Sequence, residues 1–198
     1  MLERRDLKII FDIIKPNSKV LDLGCGDGLL LKELVEKKGN IGLGIEISME
    51  KIKICLKNGI SVIQEDLNEG LKDFQENSFD YIILSQTLEY IANPVYLIKE
   101  MLRVGKNIII SFENLSYWKN RFLFLFRGTL KSDRAKNINT FYGKKVQILT
   151  VTKFINFCHY YKINISNQFY LPNSNLKLTN KFPNTLSKMA IFILKGGN

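Results

Sequence analysis

Four acidic residues and three glycines carry the chemistry that can be read in this chain. Gly24, Gly26 and Gly28 form a G-x-G-x-G turn in "VLDLGCGDG", with Asp22 just ahead of it and Asp27 inside it. Glu46 closes the stretch "GLGIE", 18 residues beyond Gly28, and Asp66 lies in "VIQEDL". A glycine turn that opens a helix ordinarily cradles a pyrophosphate, because free backbone N–H groups and the positive end of the helix dipole face the ligand. The dinucleotide fingerprint, however, sets its third glycine one residue later. Carboxylates on both sides of the turn would also repel a pyrophosphate. They suit a ligand that carries positive charge.

S-adenosyl-L-methionine, with an ammonium and a sulfonium, meets that requirement while keeping an adenosine. Glu46 stands where an acidic side chain accepts from both ribose hydroxyls. Asp66 is placed to accept from the adenine amino group, and the backbone N–H of Leu67 to serve the neighbouring ring nitrogen. Cys25, Ile47 and Ser85 complete the expected cofactor-binding set. Cys25 serves a tight turn through its backbone, Ile47 adjoins Glu46, and Ser85 ends a strand. Together these positions fall at successive strand ends, which line the ligand crevice of an open α/β sheet.

No catalytic residue can be assigned. His159, the only histidine, falls on an amphipathic helix late in the chain. Glu89 and Tyr90 follow the fourth strand, where they face either a substrate or a helix surface. Cys25, Cys55 and Cys158 are far apart and odd in number, which indicates a reducing cytoplasm and neither a disulfide framework nor a zinc site. No metal site is expected.

The elements that must position these residues alternate. Strands are expected at 19–23, 41–47, 60–64, 79–85 and 107–112, short and apolar on both faces as in a buried parallel sheet. Helices separate them: Asp27 to Lys37, a segment capped by Ser48 and stopped at Gly59, and one opened by Asn93-Pro94 and ended at Gly105. An amphipathic helix opens the chain, and no apolar run nears the roughly 20 residues that span a bilayer. After Phe112 the rhythm breaks. "YWKNRFLFLFR" is aromatic and basic, and 128–145 has no clear period. A helix ("TVTKFINFCHYY"), a strand ("KINISNQFY") and a closing strand (189–195) follow. The pattern predicts one Rossmann-like, doubly wound, mostly parallel α/β domain over 1–198, with an irregular lid or docking insertion around 113–148.

Charge is uneven. Residues 1–100 hold 13 Lys/Arg and 17 Asp/Glu, whereas 101–198 hold 16 and 2. Such a basic half can mark a docking surface, although a chain this rich in Ile, Lys and Asn also acquires it through composition alone. No recognised nucleic-acid motif accompanies it, so nucleic acid is not an expected partner.

The chain resembles class I S-adenosylmethionine-dependent methyltransferases and, more narrowly, the MetW family. The resembling text is "VLDLGCGDG", "GLGIEI", "VIQEDLNEGL", "SFDYIILSQTLEYI", "EMLRVGKNIIISF" and "NLSYWKNR", close over 19–121 and loose beyond. It implies a sheet of about seven strands with the last antiparallel, and a cofactor role for Asp22, Gly24, Gly26, Gly28, Glu46 and Asp66. It further implies a link to homoserine O-acyltransferase, with S-adenosylmethionine as a signal of pathway output. Two departures concern the second half: Tyr117 stands where the family has His, and "FYGKKVQILT" replaces an Asn-Thr-Pro-Asn-Ile-His-like stretch.

"SQTL" after the fourth strand, where an Asn-Pro-Pro-Tyr motif would stand, argues against methylation of an adenine or glutamine amide nitrogen. Methyl transfer from a sulfonium rests mainly on positioning and needs a base only for a protonated nucleophile. Whether the chain is an enzyme therefore stays open. Three readings follow: an accessory protein that binds the cofactor and a partner enzyme, a methyltransferase of a small molecule, and a methyltransferase of lipid-like substrates held at a membrane surface by Leu115, Trp118, Phe122 and Leu125 with Lys119, Arg121, Arg127 and Lys131 nearby.

Overall fold

A strand that is apolar on consecutive residues needs cover on both faces. The computed structural model, which describes residues 2–128, 147–172, 178 and 180–195, supplies it. Strands β1 (Lys19–Leu23), β2 (Ile41–Glu46), β3 (Ser61–Gln64), β4 (Phe79–Ser85), β5 (Gly105–Glu113), β6 (Ile165–Leu171) and β7 (Met189–Lys195) form one sheet in the order β3-β2-β1-β4-β5-β7-β6. The pairs among β1 to β5 are parallel, and β7 runs antiparallel to both β5 and β6. The expected seven-stranded, mostly parallel sheet is present.

Helices α1 (Arg5–Ile13), α2 (Leu29–Lys38), α3 (Met49–Lys57), α4 (Pro94–Val104), α5 (Trp118–Arg127), α6 (Val151–Tyr160) and α7 (Pro183–Leu186) accompany the sheet. Side chains along β4 alternate between two cores, as the strand period of two requires. Tyr81 and Ile83 pack with Ile10 of α1, Ile14 just after it, Leu31 and Leu34 of α2 and Cys55 of α3. Ile82 and Leu84 pack with Leu97 and Met101 of α4 and Phe154 of α6.

Element ends depart from the sequence expectation for local reasons. Helix α2 starts at Leu29 and not Asp27, because Gly24, Gly26 and Gly28 hold φ of 70°, 64° and 73°, outside the right-handed helical region. Ser48 occupies the N-cap position of α3 but makes no side-chain cap hydrogen bond. Asn93 does cap α4, its Oδ1 accepting the Tyr96 N–H at 3.1 Å with Pro94 at the helix start. Gly105 ends α4 by becoming the first residue of β5, and a Cβ there would lie 2.6 Å from Ile82 Cγ1. Of the irregular stretch expected around 113–148, residues 118–127 form α5, and 129–146 lie outside the described residues. Among the described residues no helix is long and apolar enough to cross a membrane.

Candidate functional site

Strand order reverses between β1 and β4, and the crevice outside their carboxyl ends is where an open α/β sheet takes a ligand. A cavity of about 1400 Å³ lies there. Its walls include Asp22 from β1, Gly24 to Asp27 from the glycine turn, Glu46 and Ile47 from the end of β2, Asp66 and Leu67 after β3, and Ser85 at the end of β4. The fold thus gathers nearly all of the expected cofactor-binding set around one cavity. Within that set Gly28 is the exception. It lies off the cavity, where a Cβ would meet Cys55 Sγ at 3.0 Å, so its place is in the packing of the turn against α3.

Four of the five backbone N–H groups of the turn, those of Gly24, Cys25, Gly26 and Gly28, are committed internally. Gly24 and Cys25 both donate to the Ile45 carbonyl (2.8 and 3.1 Å), and Gly28 donates to the Cys25 carbonyl (3.1 Å). Gly26 donates to Glu46 Oε2 at 2.9 Å. A pyrophosphate would need those donors free. Charge points the same way: six carboxylates line the cavity (Glu3, Asp22, Asp27, Glu46, Glu65, Asp66) against Arg4 and Lys51. A Cβ on Gly26 would meet nothing within 4 Å, so this bend of the turn borders open space.

Glu46 does more here than face a ribose. Its Oε1 accepts the N–H groups of Ile47 and Ser48 (3.0 and 2.9 Å) and its Oε2 that of Gly26. Three of roughly four acceptor sites are used, which leaves one on Oε2 for a ligand hydroxyl. Asp66 is similarly shared, because its Oδ1 accepts from the backbone and side-chain nitrogens of Asn68 (2.9 and 2.8 Å) and so caps the 3₁₀ turn at Leu67–Glu69.

The sequence reading missed the N-terminal arm. Arg4 lines the cavity and donates from Nη2 to Ser85 Oγ and to Asp6 Oδ2, both at 2.6 Å, and from Nε to Asp6 Oδ1 at 3.2 Å. Asp6 is wholly buried, and its Oδ2 also accepts from Ser85 Oγ and Ser111 Oγ (3.0 Å each). Burial alone would push the Asp6 carboxyl up, but Arg4 and the two serine hydroxyls together hold it below the usual carboxylate range. In the sequence Asp6 is only a charge interrupting an apolar stretch. Its partners Ser85 and Ser111 come from strands far along the chain, so no local motif announces the network.

Burial pushes the Asp22 carboxyl up to about 7, with Glu46 adding to the effect and Arg4 opposing it. A ligand cation in the cavity would reverse that penalty. Burial and the neighbouring Asp22 hold the Cys25 thiol far above its ordinary range, so Cys25 serves the turn as a small, half-buried, protonated side chain. His159 is exposed on α6 and is not part of the cavity wall. Tyr90 lines the cavity, whereas Glu89 is buried beside β5, its Oε1 accepting the Glu113 N–H at 3.3 Å. Among the described residues no group of three or more His, Cys, Asp and Glu side chains is placed to hold a metal ion.

Comparison with known proteins fits this geometry. The family model described as "Methionine biosynthesis protein MetW" matches residues 4–194. The chain is 40% identical over 131 residues to the "Bifunctional methionine biosynthesis protein MetXA/MetW" of Rhodopirellula baltica, a match covering 62% of this chain and 21% of that one. It is 27% identical over 119 residues to the "Ubiquinone biosynthesis O-methyltransferase" of Hahella chejuensis, covering 57% and 50%. The chain therefore spans about a fifth and about a half of the lengths of these two relatives. Among solved structures, a SAM-dependent methyltransferase of Thermotoga maritima superposes with a TM-score of 0.70 at 16% identity, over 97% of this chain and 87% of that one. That likeness establishes the class I methyltransferase fold.

Proposed function

This chain belongs to the MetW family of methionine biosynthesis proteins, and from that premise we propose that it is a cytoplasmic S-adenosylmethionine-binding protein that supports a homoserine O-acyltransferase. The observation that carries the cofactor assignment is the state of the glycine turn: four of its five N–H groups are spent on protein oxygens, and carboxylates surround it. Such a cradle suits a cationic nucleoside and opposes a pyrophosphate. Asp22 and Asp27 face the charged end of the ligand, Glu46 a ribose hydroxyl, and Asp66 with Leu67 the adenine edge. S-adenosylmethionine supplies an electrophilic methyl group when bound. The protein's own contribution is to hold and orient it.

The partner assignment draws on the relative that joins MetXA and MetW in one chain, with MetXA read as the homoserine O-acyltransferase to which MetW-like proteins are linked. The likeness to ubiquinone biosynthesis O-methyltransferases favours a second reading, methyl transfer to a small or lipid-like acceptor over the Tyr90 side of the cavity. Titration calorimetry tests the cofactor: S-adenosylmethionine and S-adenosylhomocysteine should bind and NAD should not. NAD binding tighter than either would overturn the assignment. Incubation with labelled S-adenosylmethionine and candidate acceptors separates the two readings, since turnover supports the second.

A further inference from the structure

Helix α5 turns its apolar side to the solvent. None of its residues is buried, and Trp118, Phe122, Leu125 and Phe126 are 39%, 54%, 75% and 74% exposed. At 3.6 residues per turn these four fall on one side of the helix, and the half-buried Asn120 and Leu123 on the other. The rings form a ladder: Trp118 meets Phe122 edge-on at 6.0 Å, and Phe122 stacks on Phe126 at 5.9 Å. Lys119 and Arg121 flank the ladder, with the Lys119 ammonium 5.5 Å from the Trp118 ring. At 150–250 Å² for an aromatic side chain, the exposed fractions amount to roughly 400–500 Å² of apolar surface. A monomer rarely shows a larger patch, and it would fill the apolar centre of an interface of about 800 Å² per partner.

We infer that this face docks on homoserine O-acyltransferase, an inference that rests on the proposed function. The Rhodopirellula relative carries MetXA and MetW in one chain, which favours a protein occupant over a lipid one. Lys119, Arg121 and Arg127, with no acidic residue between Trp118 and Arg127, call for an apolar groove rimmed by carboxylates on the partner. The segment leading into α5 also connects to the cofactor cavity. Leu115 donates its N–H to the Leu149 carbonyl at 3.0 Å, and Gln147, two residues away, lines the cavity and donates to the Glu89 carbonyl at 2.7 Å. The path from α5 to the cavity wall thus runs back three residues to Leu115, across one hydrogen bond to Leu149, and along two residues to Gln147.

The test titrates the full chain with the homoserine O-acyltransferase of the same organism, for the wild type and for Phe122→Ser/Phe126→Ser. Both replaced side chains are exposed, and S-adenosylhomocysteine affinity, expected within twofold of wild type, reports that the fold is kept. The inference expects the wild type to bind and the double variant to bind at least thirtyfold more weakly. Equal binding by both overturns the docking face and leaves the proposed function standing. No binding by the wild type overturns the partnership and the inference with it. Two further results overturn the assigned occupant: wild-type binding to phosphatidylserine vesicles but not to the acyltransferase, weakened by salt, or a wild-type dimer in sedimentation that the double variant abolishes.

Discussion

The Glu46 carboxylate accepts the Gly26 N–H at 2.9 Å, which makes the end of β2 and the middle of the glycine turn a single hydrogen-bonded unit. The same carboxylate accepts from Ile47 and Ser48, so its replacement has two consequences. Glu46→Ala removes the ligand's charged acceptor and strands three backbone donors. A hydrogen bond to a charged group contributes about 1.5–3 kcal/mol, so affinity for S-adenosylhomocysteine should fall at least tenfold in calorimetry. The stranded donors should lower unfolding free energy by about 1–3 kcal/mol. A variant that loses stability but binds normally would assign Glu46 to the turn alone.

Arg4 should set the preference for a ligand with an amino-acid tail. Its Nε and Nη2 hold Asp6 and Ser85, and the two donors of Nη1 remain for a carboxylate. The methionine carboxylate is the anionic group of the proposed ligand, and among the described residues Arg4 and Lys51 are the cations on the cavity wall. Arg4→Gln should weaken S-adenosylhomocysteine about tenfold to a hundredfold, matching about 1.5–3 kcal/mol. Binding of 5′-methylthioadenosine, which lacks the tail, should not change. Equal losses for both ligands would mean that Arg4 acts only through Asp6.

Asp22 predicts a pH dependence of opposite sign for folding and for binding. Its carboxyl is raised by burial to about 7, so between pH 4 and 7 the folded protein holds a proton that the unfolded chain has released. Stability from this residue therefore falls as pH rises through that window and levels off above 7. A ligand ammonium favours the ionised form, so binding releases the proton. Affinity for S-adenosylhomocysteine should gain about fivefold from pH 6 to 7, where an α-amino group stays protonated. Asp22→Asn should flatten that slope, and a slope unchanged in the variant would place the titrating group elsewhere.

What was legible in the sequence follows the range of each interaction. The strands could be read because continuous apolar runs have one stable use, a sheet covered on both faces. The cavity wall could be read because Asp22, Glu46 and Asp66 sit at strand ends that the topology must bring together. The Arg4–Asp6–Ser85–Ser111 network could not, since its members come from the start of α1, the residue before it and two distant strands, and no spacing rule links them. Gly28 was read with Gly24 and Gly26 because a motif does not distinguish a glycine that borders the cavity from one pressed against Cys55. The outward face of α5 shows the same limit. A stripe at helical spacing looks identical whether it meets its own domain or a partner.

The turn glycines should separate by their surroundings. A Cβ on Gly24 would lie 2.8 Å from Thr87 Oγ1, whereas one on Gly26 would meet nothing within 4 Å, and both residues hold left-handed φ. Left-handed backbone costs a non-glycine residue about 1–2 kcal/mol, a cost shared by both sites. Gly24→Ala adds a clash inside the fold and should lower the unfolding temperature more than Gly26→Ala. Gly26→Val puts its extra atoms into the space that the ligand would use, beside the N–H that Glu46 holds. It should keep a folded sheet by circular dichroism, melt somewhat lower, and lose S-adenosylhomocysteine binding by more than a hundredfold. If Gly26→Val binds the ligand as the wild type does, the cofactor does not approach the turn at Gly26, and the cradle must lie further along the cavity.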